Sequence, residues 1–428
     1  MITTINNKHN KLNFSSEREQ SQACLNSAEH EKNQGRKVLN VPNLRFKEFQ
    51  GEWEKTKFGD IAVVVGGGTP DTNTSQYWNG KIQWFTPSEI GRNKYVYNSV
   101  RTISEEGLNK SSAKLLPIGT ILLSSRATVG ECSINKKECT TNQGFQSLIP
   151  KENISNEFVY YLIQTKRKDL IRKSCGSTFL EISANEVRKI VVSIPTIKEQ
   201  DKIAKLLSLL DERIATQNKI IEDLKKLKSA IINYAINSLD TDFAKFSSLY
   251  EIAGEGGTPT TSNASFYDNG KIPFIKIDDL KQKYLIENND FITELGLQKS
   301  SAWLVPTSSI LFSNGATIGE ITITTYPVCT KQGILGIVPK QNIDVEYLYY
   351  FMSSSYFKKA VSRIVTEGTM KTAYLKDINN ILCPIPTKEK QQEIVKIPSA
   401  LNSKIDTEKS ILKLFITQKQ HLLHQMFI

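Results

Sequence analysis

The sequence predicts an α+β protein built from two copies of one domain, each followed by a long helix. The first observation is a repeat: Gly-Gly-Thr-Pro at residues 67–70 returns at 256–259, and Ala-Thr-Val-Gly at 127–130 returns as Ala-Thr-Ile-Gly at 316–319, all at one offset of 189 residues. The second observation is an apolar heptad pattern after each copy. Together they predict repeated domains with pseudo-two-fold symmetry, separated by a pair of long antiparallel coiled-coil helices.

Length and composition fit this prediction. A chain of 428 residues corresponds to roughly two to three domains, and a hydrophobic fraction of 39% supports ordinary globular cores. The net charge of +11 favours a polyanionic partner, although a soluble basic protein without such a partner has the same balance. No apolar run of about 18 residues occurs, so no membrane span is expected and we predict a cytoplasmic protein.

The cysteine and histidine patterns give no sign of a metal site or a disulfide framework. The six cysteines form no Cys-x-x-Cys pair, which predicts a reduced chain with buried thiols: Cys24, Cys132, Cys139, Cys175, Cys329 and Cys383. His421 and His424 are spaced i, i+3, but no carboxylate or thiol cluster accompanies them. We therefore expect neither a metal nor a cofactor.

Each copy mixes strand and helix signals. Short β-branched stretches at 61–65, 121–124 and 190–194 predict strands, and residues 156–174 carry helical spacing with a counterpart at 345–365. The domain organisation predicted from these signals is a polar, flexible extension at 1–40, a first domain (copy 1) at 41–195, a helix at 196–240, a second domain (copy 2) at 241–386 and a second helix at 387–428.

The two predicted helices carry matching apolar seams. Residues 196–237 contain neither Gly nor Pro, and apolar residues follow steps of three and four. The polar interruptions Gln217 and Lys228 match Glu408 and Lys419 in the second helix. Such seams predict that the helices pack together rather than standing alone in solvent. The predicted interface residues are Ile203, Leu207, Leu210, Ile214, Ile221, Leu224, Ile231, Ile394, Leu401, Ile405, Leu412, Phe415, Leu422 and Met426.

One residue departs from this regularity. Pro398 occupies the position that Leu207 holds in the first helix. A proline removes a backbone donor and clashes with the preceding turn, so it predicts either a kink or a later start of the second helix.

An ordered series of short motifs runs through residues 41–428. It opens with Val-Pro-Asn-Leu-Arg-Phe at 41–46 and passes through the glycine motif at 67–70, Gly107 to Pro117, Ala-Thr-Val-Gly at 127–130 and Asn-Gln-Gly at 142–144. It ends with Ile-Pro-Thr at 194–196, followed by Glu199-Gln200 and the long helix. In this series, which both copies show, the chain resembles the specificity (S) subunits of type I restriction–modification enzymes.

The resemblance implies a division of labour. Each copy would be a target-recognition domain that reads one half of a split site in double-stranded DNA. The helices would set the spacing of the half-sites and dock methyltransferase (M) subunits, two of them, and restriction (R) subunits would join through the M subunits. Methylation and cleavage would then belong to these partners.

The repeat itself suggests how residues divide between holding the fold and reading DNA. Residues identical in both copies favour the fold or phosphate contacts, whereas residues that differ within a matched frame favour base contacts. The segments 92–101 and 281–290 diverge in this way, with 175–179 and 368–372 as second candidates. The candidate DNA-contacting residues are Thr69, Tyr77, Lys81, Arg92, Lys94, Tyr97, Arg101, Lys110, Arg126, Thr128, Gln143, Thr258, Tyr267, Lys271, Lys281, Lys283, Tyr284, Lys299, Asn314, Thr317, Lys331 and Gln332.

Alternatives remain open for these candidates. The glycine motifs form either tight turns or phosphate-facing backbone nests. Arg126, whose matched position is Gly315, either reads guanine or pairs with a local carboxylate, and Asn314 beside that position suits adenine. The matched lysines, such as Lys81 and Lys271, either contact phosphate or stay solvated.

A rival class is an enzyme, either a methyltransferase or a nuclease. The Asn-Pro-Pro-aromatic loop of an adenine methyltransferase is absent from the sequence. Pro70-Asp71 and Asp279-Leu280-Lys281 resemble parts of a metal-dependent nuclease site, but they fall in different copies, and Pro70-Asp71 becomes Pro259-Thr260 in the second, so they assemble no such site. A coiled-coil adaptor would explain the helices but not two large repeated domains. We therefore expect a non-catalytic DNA-recognition subunit.

Overall fold

A computed structural model describes residues 39–176, 180–315, 317–365 and 371–428 of the chain. The chain divides into two compact units: the first runs to Asp211 and includes Thr417–Ile428, and the second is Glu212–Ile416. Most of the predicted extension at 1–40, and parts of the candidate loops 175–179 and 368–372, lie outside the described residues.

The strands of the first unit form sheets of five, three and two strands. Their orders are β2-β9-β6-β7-β4, β5-β3-β8 and β1-β10, with β4 parallel to β7, β3 parallel to β8 and the other neighbours antiparallel. The strands are β1 (Glu54–Lys57), β2 (Ala62–Gly66), β3 (Trp78–Phe85), β4 (Tyr95–Val96), β5 (Arg101–Ile103), β6 (Ile121–Leu123), β7 (Cys132–Asn135), β8 (Cys139–Thr141), β9 (Gln146–Pro150) and β10 (Val191–Ile194).

The helices up to the first long helix are short. They are α1 (Phe58–Ile61), α2 (Glu105–Asn109), α3 (Asn156–Thr165), α4 (Arg167–Arg172), α5 (Ala184–Lys189) and the long α6 (Ile197–Asn237). The continuous helix expected over 156–174 is broken at Lys166, whose backbone leaves helical geometry at φ −92° and ψ 7°.

The central strand β6 explains where the core lies. Its three residues are all fully buried. Because successive side chains of a strand point to opposite faces, both faces of the sheet must be covered at this strand. Ile121 and Leu123 join a core with Phe158 and Leu162 of α3, whereas Leu122 joins a second core with Phe145. A sheet covered on both faces gives a continuous apolar run rather than an alternating one.

The second unit repeats this topology strand for strand. Its sheets have the orders β12-β19-β16-β17-β14, β15-β13-β18 and β11-β20. The strands are β11 (Phe243–Lys245), β12 (Tyr250–Glu255), β13 (Ile272–Ile275), β14 (Tyr284–Leu285), β15 (Phe291–Ile292), β16 (Ile310–Ser313), β17 (Ile321–Thr324), β18 (Cys329–Thr330), β19 (Ile334–Pro339) and β20 (Leu382–Pro384). The expectation of two like α+β domains is confirmed.

The helices of the second unit match those of the first except α1, whose place is taken by the short 3-10 helix Phe246–Ser248. They are α7 (Glu294–Gln298), α8 (Val345–Ser353), α9 (Ser355–Ile364), α10 (Leu375–Ile378) and the long α11 (Lys388–Met426). The helix expected over 345–365 is interrupted at Ser354, whose hydroxyl accepts a hydrogen bond from the amide of Phe357 and so caps a new helix.

The two long helices pack antiparallel within each unit. In the second unit Gln217 Nε2 donates to the carbonyl of Glu408 at 3.1 Å, and Lys228 Nζ donates to Asn402 Oδ1 at 2.9 Å. From Gln217 to Lys228 the donor moves toward the C-terminus of α6, while its acceptor moves from Glu408 to Asn402, toward the N-terminus of α11. The two helices therefore run in opposite directions. The predicted seam residues are buried or half-buried, while most positions between them are exposed. This burial pattern is the one that the predicted seam and its polar interruptions require.

Pro398 does not delay the second helix, contrary to one of the two expected outcomes. Helix α11 begins at Lys388 and contains the buried Pro398. A proline costs the helix one backbone hydrogen bond, and tertiary packing of the apolar face sustains the helix despite that loss.

The far end of each long helix closes a domain core. Met426 and Phe427 pack into the core of the first unit, where the Phe427 ring stacks on Phe158 at 5.2 Å. In the second unit Ile232 and Ile236 of α6 take the corresponding places. Within the described residues, none of the helices has the length and apolarity that a membrane span requires.

The cysteines agree with the prediction in part. Cys132, Cys139, Cys329 and Cys383 are buried free thiols, and burial raises their pKa. Cys175 is exposed because it lies in a loop outside the core, so the expectation of burial is wrong there. Cys24 lies outside the described residues.

Candidate nucleic-acid interface

Loops from three parts of copy 1 meet beside the ends of strands β2, β6 and β9 of the five-stranded sheet. Thr69 Oγ1 donates to Gln143 Oε1 at 2.5 Å, and the amide of Ser125 donates to the carbonyl of Gly144 at 2.8 Å. These bonds bring together residues 66–70, 124–128 and 142–145, which we call the loop face of copy 1. Four candidates, Thr69, Arg126, Thr128 and Gln143, lie on it.

Copy 2 builds the same loop face from residues 255–259, 314–317 and 331–333, apart from Ala316, which the structure does not describe. The amide of Gln332 donates to Thr258 Oγ1 at 3.3 Å, and the amide of Asn314 donates to the carbonyl of Gly333 at 3.0 Å. Thr258, Thr317, Lys331 and Gln332 are thereby grouped as their counterparts are in copy 1.

The paired glycines are required by close backbone packing. A Cβ on Gly68 would lie 2.3 Å from Ser112 Oγ and 2.4 Å from the amide nitrogen of Ala113. A Cβ on Gly257 would meet the matching atoms of Ser301 and Ala302, each at 2.3 Å. The amide of Gly68 already donates to the carbonyl of Thr141 at 2.8 Å. These contacts favour the tight-turn alternative over a phosphate nest.

Arg126 forms an ion pair on the surface of copy 1. Its guanidinium lies 2.8 Å from Glu181 Oε1, and both side chains are nearly half exposed. This is the local carboxylate that the sequence left as an alternative. An exposed pair of this kind contributes only about 0–1 kcal/mol, so it leaves the guanidinium able to exchange Glu181 for another acceptor.

Arg101 is held in a defined position by two tryptophans. Its guanidinium carbon lies 3.5 Å from the ring centre of Trp78, and the Trp78 and Trp84 rings meet edge to face at 5.1 Å. Trp84 Nε1 donates to the carbonyl of Gly68 at 2.9 Å, which ties this stack to the loop face. Stacking on an indole restricts an exposed Arg while leaving its donors free to bind.

Sequence reasoning missed the two tryptophans, although the repeat carries a signal for them. Their matched positions in copy 2 are Asp268 and Phe274, and the position of Arg101 is Asp290. Asp290 instead forms an ion pair with Lys276, whose Nζ lies 2.7 Å from Asp290 Oδ1. The two copies therefore present opposite charges at one place on the same strand frame.

Lys94 and Lys283 are not groove contacts, which corrects the prediction. The Nζ of Lys94 donates to Glu157 at 3.0 Å, and its side chain is only 9% exposed. The Nζ of Lys283 lies 2.7 Å from Glu346, with 4% exposure. A buried ammonium needs a carboxylate partner, and both lysines turn inward to meet one. Tyr284 donates to the same Glu346.

Asn314 is also unsuited to reading a base. It is 1% exposed, and its Nδ2 donates to the carbonyl of Ala373 at 3.2 Å. The side chain holds neighbouring loops together, so the expectation that it binds adenine is wrong for this side chain.

The remaining candidates occupy the surface or its margin. Tyr77 and Tyr267 are half-buried, and the Tyr267 hydroxyl donates to the carbonyl of Pro259 at 2.6 Å. Lys281 pairs with Asp278 at 2.9 Å. Besides the candidates already described, the exposed ones are Lys81, Arg92, Tyr97, Lys110, Lys271, Lys281 and Lys299.

The described residues contain no group of three or more His, Cys, Asp or Glu side chains arranged to hold a metal ion. The acidic residues close to Lys281 illustrate the point. Asp278 forms an ion pair with Lys281. Asp279 accepts a hydrogen bond from the amide of Lys276 at 2.8 Å as part of a helical cap.

Comparison with known proteins places the chain in a family. The model of the type I restriction modification DNA specificity domain matches residues 50–226 and again 240–414. The type I restriction enzyme MjaIX specificity subunit of Methanocaldococcus jannaschii is 30% identical over 388 residues, covering 85% of this chain and 90% of the relative.

Solved structures agree at the level of the fold. The S subunit of a type I restriction–modification system from M. genitalium has a TM-score of 0.53 at 17% identity, covering 91% of this chain and 99% of that one. A chain from a study of assembly and conformational transition of the type I restriction–modification system has a TM-score of 0.59 at 16% identity, covering 87% and 96%. With both of its domains matched by the family model, the chain belongs to the type I restriction–modification specificity subunits.

Proposed function

We propose that this chain is the DNA-recognition subunit of a type I restriction–modification complex, in which each copy reads one half of a bipartite site. The observation that carries the proposal is the loop face, which is built twice on one frame of strands and turns. The frame is the same in both copies, but charged side chains such as Arg101 and Arg126 are replaced by Asp290 and Gly315. Two unlike half-sites call for this arrangement.

The exposure and charge of the candidate residues divide them into proposed base readers, which give specificity, and proposed phosphate contacts, which give affinity. Arg101 and Arg126 are the proposed base readers of copy 1, since an Arg can bind guanine O6 and N7 together in the major groove. The matched exposed lysines, Lys81 with Lys271 and Lys110 with Lys299, are the proposed phosphate contacts. Phosphate contacts strengthen binding to every sequence and weaken as salt rises.

The chain acts in this proposal without catalysing a reaction. Two M subunits would bind along the long helices and supply methylation, and R subunits would join through them and supply cleavage. The long antiparallel helices would set the gap between half-sites.

Co-purification with an M subunit followed by methylation mapping tests the function. We expect the complex to methylate one bipartite sequence with a fixed gap. The chain alone, purified in the same way, serves as the control and should neither methylate nor cut DNA. Methylation or cleavage by the chain alone would favour the enzyme alternative.

The role of the helices has its own test. Deleting one heptad from the helix that starts after Thr196 should change the gap but leave both half-site sequences unchanged. A matched control replaces one exposed heptad residue, Glu212, with Gln and keeps the helix length. Altered half-sites with an unchanged gap would refute this role.

A further inference from the structure

A buried lysine in copy 1 connects the domain to its long helix. Lys94 precedes β4, and its Nζ donates to Glu157 Oε2 at 3.0 Å, to Tyr161 Oη at 3.3 Å and to Ser208 Oγ at 3.0 Å. Glu157 and Tyr161 lie on α3, whereas Ser208 lies on α6. One ammonium group therefore joins a strand, a domain helix and the long helix.

Copy 2 contains the same group of residues. Lys283 Nζ lies 2.7 Å from Glu346 Oε2 and donates to Ser399 Oγ at 3.0 Å. The hydroxyls of Tyr350 and Ser399 are 3.1 Å apart, and Ser399 also donates to Glu346. We call each group a latch: Lys94, Glu157, Tyr161 and Ser208 in copy 1, and Lys283, Glu346, Tyr350 and Ser399 in copy 2.

All four latch residues are identical in type between the copies, although the segments that lead to the lysines are not. Residues 86–93 and 276–282 differ in sequence and in length. A lysine at this depth would be costly without its carboxylate and hydroxyl partners. The reappearance of the whole group beside divergent loops indicates a shared requirement for the contact with the helix.

A tyrosine completes each latch carboxylate. The hydroxyl of Tyr95 donates to Glu157 Oε1, and that of Tyr284 donates to Glu346 Oε1. Burial acts to raise the pKa of Glu157, yet hydrogen bonds from Tyr95 and Lys94 outweigh it and hold the pKa of that carboxyl below its ordinary value. For Glu346, burial is likewise outweighed, by bonds from Lys283, Ser399 and Tyr284, and the pKa is again lowered. Both carboxylates are therefore charged at neutral pH.

The latch differs in kind from the apolar contacts around it. Hydrophobic packing between α3 and α6 has no preferred direction, so it permits small rotations of the domain on the helix. Hydrogen bonds from one ammonium to three acceptors are directional and short, and each weakens steeply when its angle changes. In copy 1 the latch therefore adds directional constraint to that of other hydrogen bonds to α6, such as those from Tyr161 to Asp211 at 2.7 Å and from the Ser155 amide to Gln200 at 2.9 Å.

We infer that the latches position each recognition domain on its long helix and thereby restrict the complex to one gap between half-sites. The inference rests on the proposed function and deepens it, because it assigns part of the gap selectivity to residues outside the loop face. A domain that could rotate on its helix would reach half-sites at neighbouring gaps as well. The latch residues act on DNA only through the domain that they orient.

Serine-to-alanine variants in the full chain, each co-purified with the M subunit, test the inference. Ser208→Ala and Ser399→Ala remove the latch hydroxyl that the long helix supplies and leave the Lys–Glu pairs intact, as well as the bond from Tyr161 to Asp211. We expect unchanged half-site sequences, while methylation at sites whose gap differs by one base pair rises about tenfold relative to the normal gap. That change corresponds to losing one hydrogen bond to a charged group.

The matched control is Ser403→Ala, one turn further along α11. Ser403 is exposed, and its hydroxyl bonds only to the backbone oxygen of Ser399 at 3.2 Å within the described residues. We expect the gap distribution of the wild type. Lys94→Met is a second variant, which removes all three latch bonds at once. If it does not fold, the serine variants decide.

The outcomes distinguish a failure of the proposed function from a failure of the latch inference. A wild-type complex that methylates no bipartite site would defeat the proposed function itself. A bipartite wild-type site with the wild-type gap distribution in both serine variants would overturn the latch inference alone. A uniform loss of methylation at an unchanged gap would do the same, because it would indicate a merely structural role.

Discussion

The two copies are alike where they meet the helices and different on the loop face. Both latches use the same Lys, Glu, Tyr and Ser, and both glycine pairs pack against the same backbone atoms. On the loop face, in contrast, Arg126 is replaced by Gly315, and the Trp78–Arg101 stack is replaced by Asp268 and Asp290. The comparison separates what the fold requires from what can vary on its surface.

Physical chemistry explains this separation. A buried group that loses its partner costs about 1–3 kcal/mol or more, so the helix-facing contacts tolerate little change. Substitutions of exposed side chains away from such features change the free energy of unfolding by only about 0.5 kcal/mol. The loop face can therefore change its charge and shape in one copy while the strands beneath keep their register.

A second difference lies at the start of α6, where the first unit has an anchor with no equivalent among the described residues of the second unit. Arg45 binds Glu199 through two bonds of 2.8 Å and 2.7 Å, and Trp53 Nε1 donates to the same carboxylate at 3.3 Å. The Glu199 side chain is 1% exposed. Its counterpart in α11 is Lys390, an exposed residue that pairs with Glu393.

The largest expected effect comes from breaking that anchor. Arg45→Met leaves the Glu199 carboxylate buried without its main partner, which typically costs about 3–5 kcal/mol. We expect the first unit to unfold earlier in urea, with hydrogen exchange accelerated there and not in the second unit. Lys390→Met is the control and should change the stability of the second unit by less than about 1 kcal/mol. Equal losses in both variants would contradict the asymmetry.

The glycine pairs should respond alike in both copies. Gly68→Ala and Gly257→Ala each place a methyl group within 2.4 Å of a backbone nitrogen. Overpacking of this kind costs about 1–3 kcal/mol, and urea unfolding of each variant measures it. Gly66→Ala is the matched control, since its nearest atom would be Gln146 Oε1 at 3.6 Å and copy 2 already has Glu255 there. A Gly66 variant as unstable as Gly68→Ala would contradict the role of close packing.

The repeat and the helices could be predicted because their signals are local and periodic. Ile203, Leu207 and Ile221 repeat at heptad spacing, and that spacing alone places them on one face. The breaks at Lys166 and Ser354 could not be predicted in this way, because apolar spacing continues across each break. At Ser354 the break is a cap, which is a hydrogen bond of one side chain and leaves the periodicity unaffected. Lys166 makes no side-chain cap, and only its backbone angles mark the break there.

The sequence could predict the position of a candidate residue only where that residue lies on the surface in a loop matched between the copies. Thr69, Gln143 and Arg126 lie on the loop face as surface residues of matched loops. Lys94 was assigned wrongly because its partner Glu157 lies 63 residues away on α3, a distance at which sequence spacing carries no information. Trp78 was missed because a tryptophan normally indicates burial rather than a contact with a surface side chain.

A third prediction sharpens the difference between the loop faces. Arg101→Ala and Arg126→Ala should each relax reading of the copy 1 half-site by about tenfold at one base, since a bidentate Arg–guanine pair contributes about 1–3 kcal/mol of discrimination. The copy 2 half-site should be unchanged, and methylation mapping measures both. Lys110→Ala is the control and should weaken binding to all sequences alike, with a shallower salt dependence. Uniform weakening by Arg126→Ala would assign that residue to phosphate instead.

The smallest expected effect is a pH dependence that the two copies share. The pKa values of Glu157 and Glu346 are lowered in the folded protein, so each latch contributes stability above the unfolded pKa of about 4.3 and loses it as pH falls through the folded value. Glu157→Gln and Glu346→Gln should therefore be less stable than the wild type at pH 7, and the difference should shrink below about pH 4. Urea unfolding from pH 7 to pH 3 measures it. Glu186→Gln, an exposed control carboxylate, should show a weaker change because water and salt screen its pairs. A stability difference that stays constant across this range would show that the latch carboxylates do not titrate as charged acceptors of their lysines.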